Sequence, residues 1–334
     1  MRNLLLLATL LWGCGLAAAA EPCTKATPEC THWVPLGGES RSLIYSTYPL
    51  DKKNQQIIRA LIVVHGQGRD ADNYFRTSLA ATFLAGAFND TIVISPRFAS
   101  NDGGCRDTLA PNEVSWPCGG DSWRSGGASP SNKSLTSYDF MDAIVRALTN
   151  KATFPNLKAI VISGHSAGGQ FVTRYEMANK IHETAGVPIT YVVSNPSSYS
   201  YLDPERPSAA NNNEPRAFGD ARNCTTYDNW PYGLKTRTGY TTNIPGDQLK
   251  KQLASRPVTY LLGELDVLPL AGFDSSCPAM AQGPTRLARG QAYAAYVNAK
   301  YNAQHRVVVV PLCGHNARCM FTAEVALPIL FPKI

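Results

Sequence analysis

One serine in this sequence has the surroundings that a nucleophile requires. Ser166 lies in the stretch VISGHSAGGQ, residues 161–170, between small residues and directly after an apolar run. A serine hydroxyl becomes a useful nucleophile at neutral pH when a histidine takes its proton during attack. It must also project from the fold, and a sharp turn from strand to helix achieves this when Gly164 and Gly168 leave room. The pattern predicts that Ser166 is a nucleophile. The alternative is a glycine-rich turn that contains a serine by chance.

An acid and a base follow further along the chain. Asp266 comes just after the apolar run VTYLLG, and His315 comes just after RVVVV. We predict that His315 is the base and that Asp266 orients its imidazole and stabilises the protonated form. Glu264, which is closer to the strand, is the alternative acid. Ordinary loop roles for Asp266 and His315 would not explain why both stand at strand ends.

The stretch VVHGQGRD, residues 63–70, follows the first strongly apolar run. Backbone N–H groups at such a position can hold the oxyanion of a tetrahedral intermediate, together with the N–H of the residue after the nucleophile. We therefore predict an oxyanion hole formed by Gln67 and Ala167. The alternative is a glycine-rich turn in which His65 satisfies local backbone groups.

Short apolar runs alternate with amphipathic stretches from residue 56 onward, which indicates an α/β fold with a mostly parallel central sheet and helices on both faces. The predicted strands are ALIVVHG, TIVISPRF, LKAIVIS, ITYVVSN, VTYLLGE and RVVVVPL. Helical spacing of apolar residues predicts helices between 136 and 148 and after Ser166. Loop-rich insertions at about 99–135 and 196–256 are expected to lie over the active site.

The stretches HGQG, GHSAGG, GELD and CGHN, in this order, give the chain a resemblance to the α/β-hydrolase superfamily and to its secreted serine esterases. GHSAGGQ followed by SNPSSY is also similar to a group of secreted bacterial and fungal hydrolases. The resemblance covers roughly residues 56–332 and implies ester hydrolysis through an acyl-enzyme without a cofactor. Gln67 departs from the HGGG signature of the lipase and esterase branch.

Aromatic residues are concentrated in the two insertions. They could line an aromatic cleft for substrate or form small cores that stiffen the long loops. Trp116, Tyr201 and Tyr232 belong to this set. The residues that we predict to contact substrate are Trp123, Asn195, Tyr199 and Trp230.

The first twenty residues, MRNLLLLATLLWGCGLAAAA, read as a secretory signal peptide cleaved before Glu21. Lipoprotein processing at Cys14 is the alternative. With 334 residues and 44% hydrophobic content, the chain is long enough for one large domain. We predict an N-terminal extension at 21–55 and a catalytic domain at 56–334, in a secreted or periplasmic protein.

Eight of the nine cysteines lie after the predicted signal, which favours disulfides in an oxidising compartment over metal binding. Three pairs lie close in sequence and leave a fourth, so that the predicted bridges are Cys23–Cys30, Cys105–Cys118, Cys224–Cys277 and Cys313–Cys319. The C-x-x-C spacing of zinc sites is absent, and we expect no metal and no cofactor.

The formal net charge of +6 comes from basic residues that are scattered singly, so a nucleic-acid partner is not expected. After residue 20 no apolar run is long enough to span a bilayer, and we expect no stable membrane insertion. The partner is then a small or polymeric ester. A serine peptidase or amidase is the alternative enzyme, and a non-catalytic binding module on a hydrolase fold is the alternative outside enzymes.

Overall fold

Ten strands and eight α-helices are present in the residues that the computed structural model describes, which are 21–119, 122–207, 214–270 and 272–334. The predicted signal peptide, residues 1–20, lies outside them. The strands are β1 (Thr31–Pro35), β2 (Arg41–Ser46), β3 (Arg59–Val64), β4 (Thr91–Pro96), β5 (Ala159–His165), β6 (Ile189–Ser194), β7 (Glu205–Pro207), β8 (Pro215–Ala217), β9 (Val258–Gly263) and β10 (Arg306–Val310). The helices are α1 (Ala71–Leu84), α2 (Ser137–Thr149), α3 (Ala167–Ala178), α4 (Gly246–Ser255), α5 (Cys277–Met280), α6 (Arg286–Tyr301), α7 (Ala317–Thr322) and α8 (Leu327–Leu330).

Eight of the strands form one sheet in the order β1-β2-β4-β3-β5-β6-β9-β10. The six strands from β4 to β10 in this order are parallel to one another. Strands β4 and β9 are buried along their whole length, and β3 is buried after its first residue. Parallel strands covered on both faces read as continuous apolar runs, which is why the sequence reveals them. The predicted α/β-hydrolase fold is confirmed.

The sheet continues into the predicted N-terminal extension. Strand β1 pairs with β2 in antiparallel fashion, and β2 pairs with β4 in the same way. Burial alternates along β2, as expected of a strand near the sheet edge with only one face on the core. The predicted boundary at residue 56 therefore does not separate two packing units in the sheet.

The aromatic residues of the two insertions pack into the core. Trp123 stacks on Phe98 with ring centroids 4.9 Å apart, and Trp116 stacks on Phe140 at 5.7 Å. The indole N–H of Trp230, from the second insertion, donates to the carbonyl oxygen of Ser125 in the first at 3.0 Å. The insertions are therefore joined to each other and to the body of the domain.

The eight cysteines that the structure describes are joined in the four pairs named above. Three bridges close short loops, and Cys224–Cys277 spans 53 residues to connect the second insertion with α5. Within the described ranges, no helix is both long and apolar enough to cross a membrane.

The start of α2 gives a prediction about stability. Thr136 and Asp139 form a reciprocal cap, in which the threonine hydroxyl accepts from the Asp139 N–H and the Asp139 carboxylate accepts from the Thr136 N–H. We expect Thr136→Ala to lower the free energy of unfolding by about 1 kcal/mol, because an N-cap acceptor is lost. Thr149→Ala removes an exposed hydroxyl at the other end of α2 and should change it by less than about 0.5 kcal/mol. Urea titration of both variants checks this; equal effects would contradict the capping argument.

Candidate active site

Ser166 occupies a strained turn between β5 and α3. Its backbone angles are φ 59° and ψ −118°, a region that a residue with a side chain rarely adopts. Two hydrogen bonds hold this conformation: the Ser166 N–H donates to the Ser194 carbonyl oxygen at 2.9 Å, and the Gln170 N–H donates to the Ser166 carbonyl oxygen at 3.0 Å. The turn therefore fixes the hydroxyl at the carboxyl end of the parallel strands.

Glycines allow the turn to pack directly on the sheet. A Cβ on Gly168 would overlap the Val64 carbonyl oxygen of β3, and one on Gly164 would overlap the Gly168 carbonyl. A Cβ on Gly169 would overlap the Ser194 carbonyl oxygen of β6. All these neighbours are backbone atoms, which cannot move aside as a flexible side chain can. The small residues are thus required by the close approach of three segments of backbone.

The structure brings Ser166, His315 and Asp266 into one hydrogen-bonded chain. The Ser166 Oγ lies 2.9 Å from His315 Nε2, and His315 Nδ1 lies 2.8 Å from Asp266 Oδ2. Asp266 is buried, whereas Glu264 is exposed and its carboxylate accepts from the Leu312 N–H at 2.8 Å. Glu264 therefore braces the loop that carries the histidine, and Asp266 is the acid that contacts the imidazole.

His65 orients the segment that precedes Gln67. Its Nε2 accepts from the Phe98 N–H at 3.1 Å, so its Nδ1 carries the proton and donates to the Gly66 carbonyl oxygen at 2.8 Å. Burial lowers the pKa of His65 to about 4, and the ring is therefore neutral at physiological pH. His65 thus satisfies local backbone groups, as the alternative of a glycine-rich turn predicts. One of these groups belongs to Gly66, the residue before Gln67.

The two predicted oxyanion donors are Ala167, which follows Ser166 in the chain, and Gln67, which lines the same cavity as Ser166. Ala167 is the first residue of α3, and the first N–H groups of a helix have no partner within the helix. The helix N-terminus also carries partial positive charge. Gln67 lines the same cavity as the nucleophile. These positions can present N–H groups to a developing oxyanion, and the oxyanion hole stays a prediction.

A cavity of about 650 Å³ opens beside Ser166. Its wall combines polar and apolar surface and includes an acidic residue, Asp70, and a basic residue, Arg318. The lining residues are Gly66, Gln67, Gly68, Asp70, Asn73, Tyr74, Thr77, His165, Ser166, Gly272, His315, Asn316, Ala317 and Arg318. No residue described in 99–135 or 196–256 belongs to this wall. The described parts of the insertions therefore do not line this cavity.

The four predicted substrate contacts are also absent from the wall. Trp123, Tyr199 and Trp230 are buried in the main hydrophobic core. Tyr199 stacks on Tyr293 with ring centroids 4.5 Å apart. Aromatic rings that pack on one another bury more apolar surface than rings exposed in a cleft, and this places them inside. For these aromatic residues, the structure supports the alternative of small cores that stiffen the loops.

Asn195, the fourth of these residues, connects three segments near the triad. Its Oδ1 accepts from the Gly263 N–H at 2.8 Å, and its Nδ2 donates to the Gly314 carbonyl oxygen at 3.3 Å. Asn195 is fully buried and has a φ of 45°, which asparagine tolerates better than most residues. It therefore ties the end of β6 to the end of β9 and to the loop of His315.

The sequence did not lead us to predict that the side chains of His165 and Tyr74 belong to the site. The centroid of the His165 ring lies 4.6 Å from that of the His315 ring. Its Nδ1 lies 3.2 Å from the Tyr74 hydroxyl, and burial lowers the pKa of His165 well below its usual value. A neutral ring therefore packs against the base. Tyr74 lies on α1, and the spacing of Tyr74, Phe75 and Leu79 is the signal in the sequence that could have predicted this helix.

Clusters of three or more histidine, cysteine, aspartate or glutamate side chains able to hold a metal ion are absent from the part of the chain that the structure describes. The polar groups at the site are instead arranged around Ser166. Proton transfer and nucleophilic attack are the chemistry that this arrangement can perform.

The chain belongs to the alpha/beta hydrolase family, whose model matches residues 61–326. Its fold is similar to that of LpqC, a poly(3-hydroxybutyrate) depolymerase from Bordetella parapertussis, with 19% identity, a TM-score of 0.61 and coverage of 88% of this chain and 85% of that one. It is also similar to poly(aspartic acid) hydrolase-1 from Sphingomonas sp. KT-1, with 22% identity, a TM-score of 0.62 and coverage of 90% and 97%. At these identities the likeness establishes the fold. No sequence match to a curated protein was found.

The bridge Cys313–Cys319 encloses His315 in a small ring. Such a ring restricts the position of the imidazole, and a displacement of about 1 Å can cost a hundredfold in rate. We expect Cys313→Ser/Cys319→Ser to lose about tenfold or more in turnover, with a small change in thermal midpoint because short rings contribute little entropy. Ester turnover and thermal unfolding are measured together, with Cys23→Ser/Cys30→Ser as the matched control. Unchanged turnover with a much lower midpoint would assign the bridge to the fold alone.

The contacts of Asn195 predict that its removal lowers activity as well as stability, whereas removal of a matched core asparagine lowers stability alone. Asn195→Ala leaves the Gly263 N–H and the Gly314 carbonyl without this partner, which should cost about 1–3 kcal/mol in folding and at least about tenfold in kcat. Asn179→Ala is the control: it removes an equally buried amide that bonds Tyr175 and Tyr191 in the core. The control should lose comparable stability and keep its kcat. Equal kcat values for the two variants would show that Asn195 does not position the triad.

Proposed function

We propose that the protein is a secreted serine hydrolase that cleaves carboxylic esters through a Ser166, His315, Asp266 triad. The observation that carries the proposal is the unbroken chain of hydrogen bonds from the Ser166 hydroxyl through His315 to Asp266, at one wall of an accessible cavity. Family membership supports hydrolysis in general, and the geometry supports serine as the nucleophile.

The proposed reaction has two halves. His315 Nε2 takes the hydroxyl proton as Ser166 Oγ attacks the ester carbonyl carbon, and the N–H groups of Gln67 and Ala167 receive the oxyanion. The carbon–oxygen bond to the alcohol then breaks, and His315 returns the proton to the leaving alkoxide. In the second half a water molecule attacks the acyl-enzyme with His315 again as base, which releases the acid and restores Ser166.

The cavity supports a polar or short acyl group. Its wall contains no valine, leucine, isoleucine, phenylalanine or tryptophan among the residues named above. A long alkyl chain would gain little by leaving water for such a wall. The names of the two similar structures refer to polymers, a polyester in one case and poly(aspartic acid) in the other. A polymer with short repeating units fits this proposal as well as a small ester does.

Export is the other part of the proposal. The apolar run of the first twenty residues ends in small residues, as signal peptides do. The four bridges support the same conclusion, because disulfides persist in oxidising compartments.

The nucleophile is tested by labelling and by turnover. A fluorophosphonate probe should label the wild-type protein at Ser166, and Ser166→Ala should abolish labelling and reduce ester turnover by up to about a million-fold. Ser163→Ala is the matched control: it removes another buried hydroxyl on β5, which bonds the Val192 carbonyl oxygen, and it should keep both signals. Full esterase activity in Ser166→Ala would overturn the proposal.

The bond that is cleaved needs a separate measurement. We expect p-nitrophenyl esters of short acids to be hydrolysed faster than aminoacyl p-nitroanilides and faster than esters of long fatty acids. Faster amide cleavage would assign the protein as a peptidase or amidase. Folded protein that neither reacts with the probe nor hydrolyses either series would be a binding module on a hydrolase fold.

A further inference from the structure

A buried arginine lies behind the triad acid. Arg286, the first residue of α6, places its Nη1 3.4 Å from Asp266 Oδ1, and both side chains are fully shielded from solvent. The other carboxylate oxygen, Oδ2, faces His315. The carboxylate of Asp266 therefore lies between an imidazole and a guanidinium.

The same arginine connects the acid with the cavity wall. Its Nε donates to the Ser197 hydroxyl at 2.8 Å, and this hydroxyl donates to the carbonyl oxygen of Gly272 at 3.2 Å. Gly272 is part of the wall beside Ser166. The N–H of Leu287, the next residue of α6, donates to the Asp266 carbonyl oxygen at 3.3 Å. The start of α6 thus holds both the backbone and the side chain of the acid.

Folding stability alone does not account for this ion pair. Asp266 is the one acidic side chain that forms a salt bridge with Arg286 in the described ranges, and the Arg286 Nη2 is buried there without a hydrogen-bond partner. Burying two charges costs free energy that a pair of apolar side chains would avoid, so buried pairs are weak evidence for stability. A role in the geometry and charge of the triad is the more direct explanation.

We propose that Arg286 is a positioning residue that keeps Asp266 Oδ2 directed at His315, and that its positive charge extends ester hydrolysis to lower pH. This inference rests on the proposed function. The negative charge of Asp266 favours the protonated imidazole, which cannot act as base. Arg286 lies 3.4 Å from Asp266 Oδ1, and its positive charge opposes part of that effect.

The other titratable and charged groups around His315 set the background for this effect. His165 packs against the imidazole and bonds Tyr74, and its pKa is lowered by burial, so it stays neutral where the enzyme works. Asp70 and Arg318 lie on the cavity wall and carry opposite charges. None of these groups contacts Asp266 in the hydrogen bonds and ion pairs of the described residues, and removal of Arg286 leaves them in place.

Arg286→Met removes the charge and keeps a side chain of similar length. We expect kcat to fall about tenfold to a hundredfold with little change in KM, because the acid is less well held. The acid limb of the kcat/KM profile should move to higher pH by about half a unit to one unit, because the charge of Asp266 is then unopposed. The profile is measured with a soluble p-nitrophenyl ester, and thermal unfolding is recorded in parallel.

Arg289→Met is the matched control. Arg289 is equally buried on α6, lies over the same ring of Phe273 and bonds the carbonyl oxygens of Ser197, Asp274 and Gly283, but has no contact with Asp266. This variant should lose stability without moving the acid limb. An unmoved acid limb in Arg286→Met, or the same movement in both variants, would overturn the proposal.

Arg286→Lys separates charge from geometry and decides the case if Arg286→Met does not fold. Lysine keeps the positive charge but not the two-pronged contact with Asp266 and Ser197. We expect a lower kcat and an acid limb close to that of the wild type. A wild-type kcat, or a limb moved upward by a full unit, would contradict the proposal. Probe labelling and ester turnover of the wild-type protein test the proposed function independently of these variants.

Discussion

The proposed active site depends on a backbone conformation that Ser166 would not adopt alone. Its positive φ is stabilised because the turn is pressed between β3 and β6, where only glycine at positions 164, 168 and 169 leaves enough space. The strain is thus held by packing of the whole sheet. The Ser194 carbonyl oxygen shows this directly, since it accepts from the Ser166 N–H and also limits the size of residue 169.

Much of this arrangement can be predicted from the sequence because buried parallel strands appear in it as continuous apolar runs. The runs that became β3, β4, β5, β6 and β9 are largely buried, and β10 is an apolar run at the edge of the sheet. The carboxyl ends of these parallel strands meet at one edge. Residues placed just after three of them are therefore brought together, and the structure puts Ser166, Asp266 and His315 within hydrogen-bond reach. The spacing of the cysteines similarly indicated the pairs that the structure joins.

Other features of the structure have no comparable pattern in the sequence. An aromatic residue in a long loop can line a pocket or pack inside the protein, and the sequence does not distinguish the two. In the structure, Trp123, Tyr199 and Trp230 pack in the core. Arg286 lies twenty residues after Asp266 on a separate element, and only the packing of α6 shows that they meet. Strand β2 was not predicted because two of its three buried residues, Ser42 and Ser46, are polar, so that it lacks an apolar run.

The position of His315 has a consequence for how the enzyme loses activity. The residue follows β10, which pairs with β9 alone and forms the edge of the sheet, with most of its residues exposed or half-buried. Segments at the periphery of a fold open with a smaller free energy than the core. Detachment of β10 would move His315, the proposed base, while the central strands and Ser166 stayed in place. We therefore expect heat inactivation to precede global unfolding.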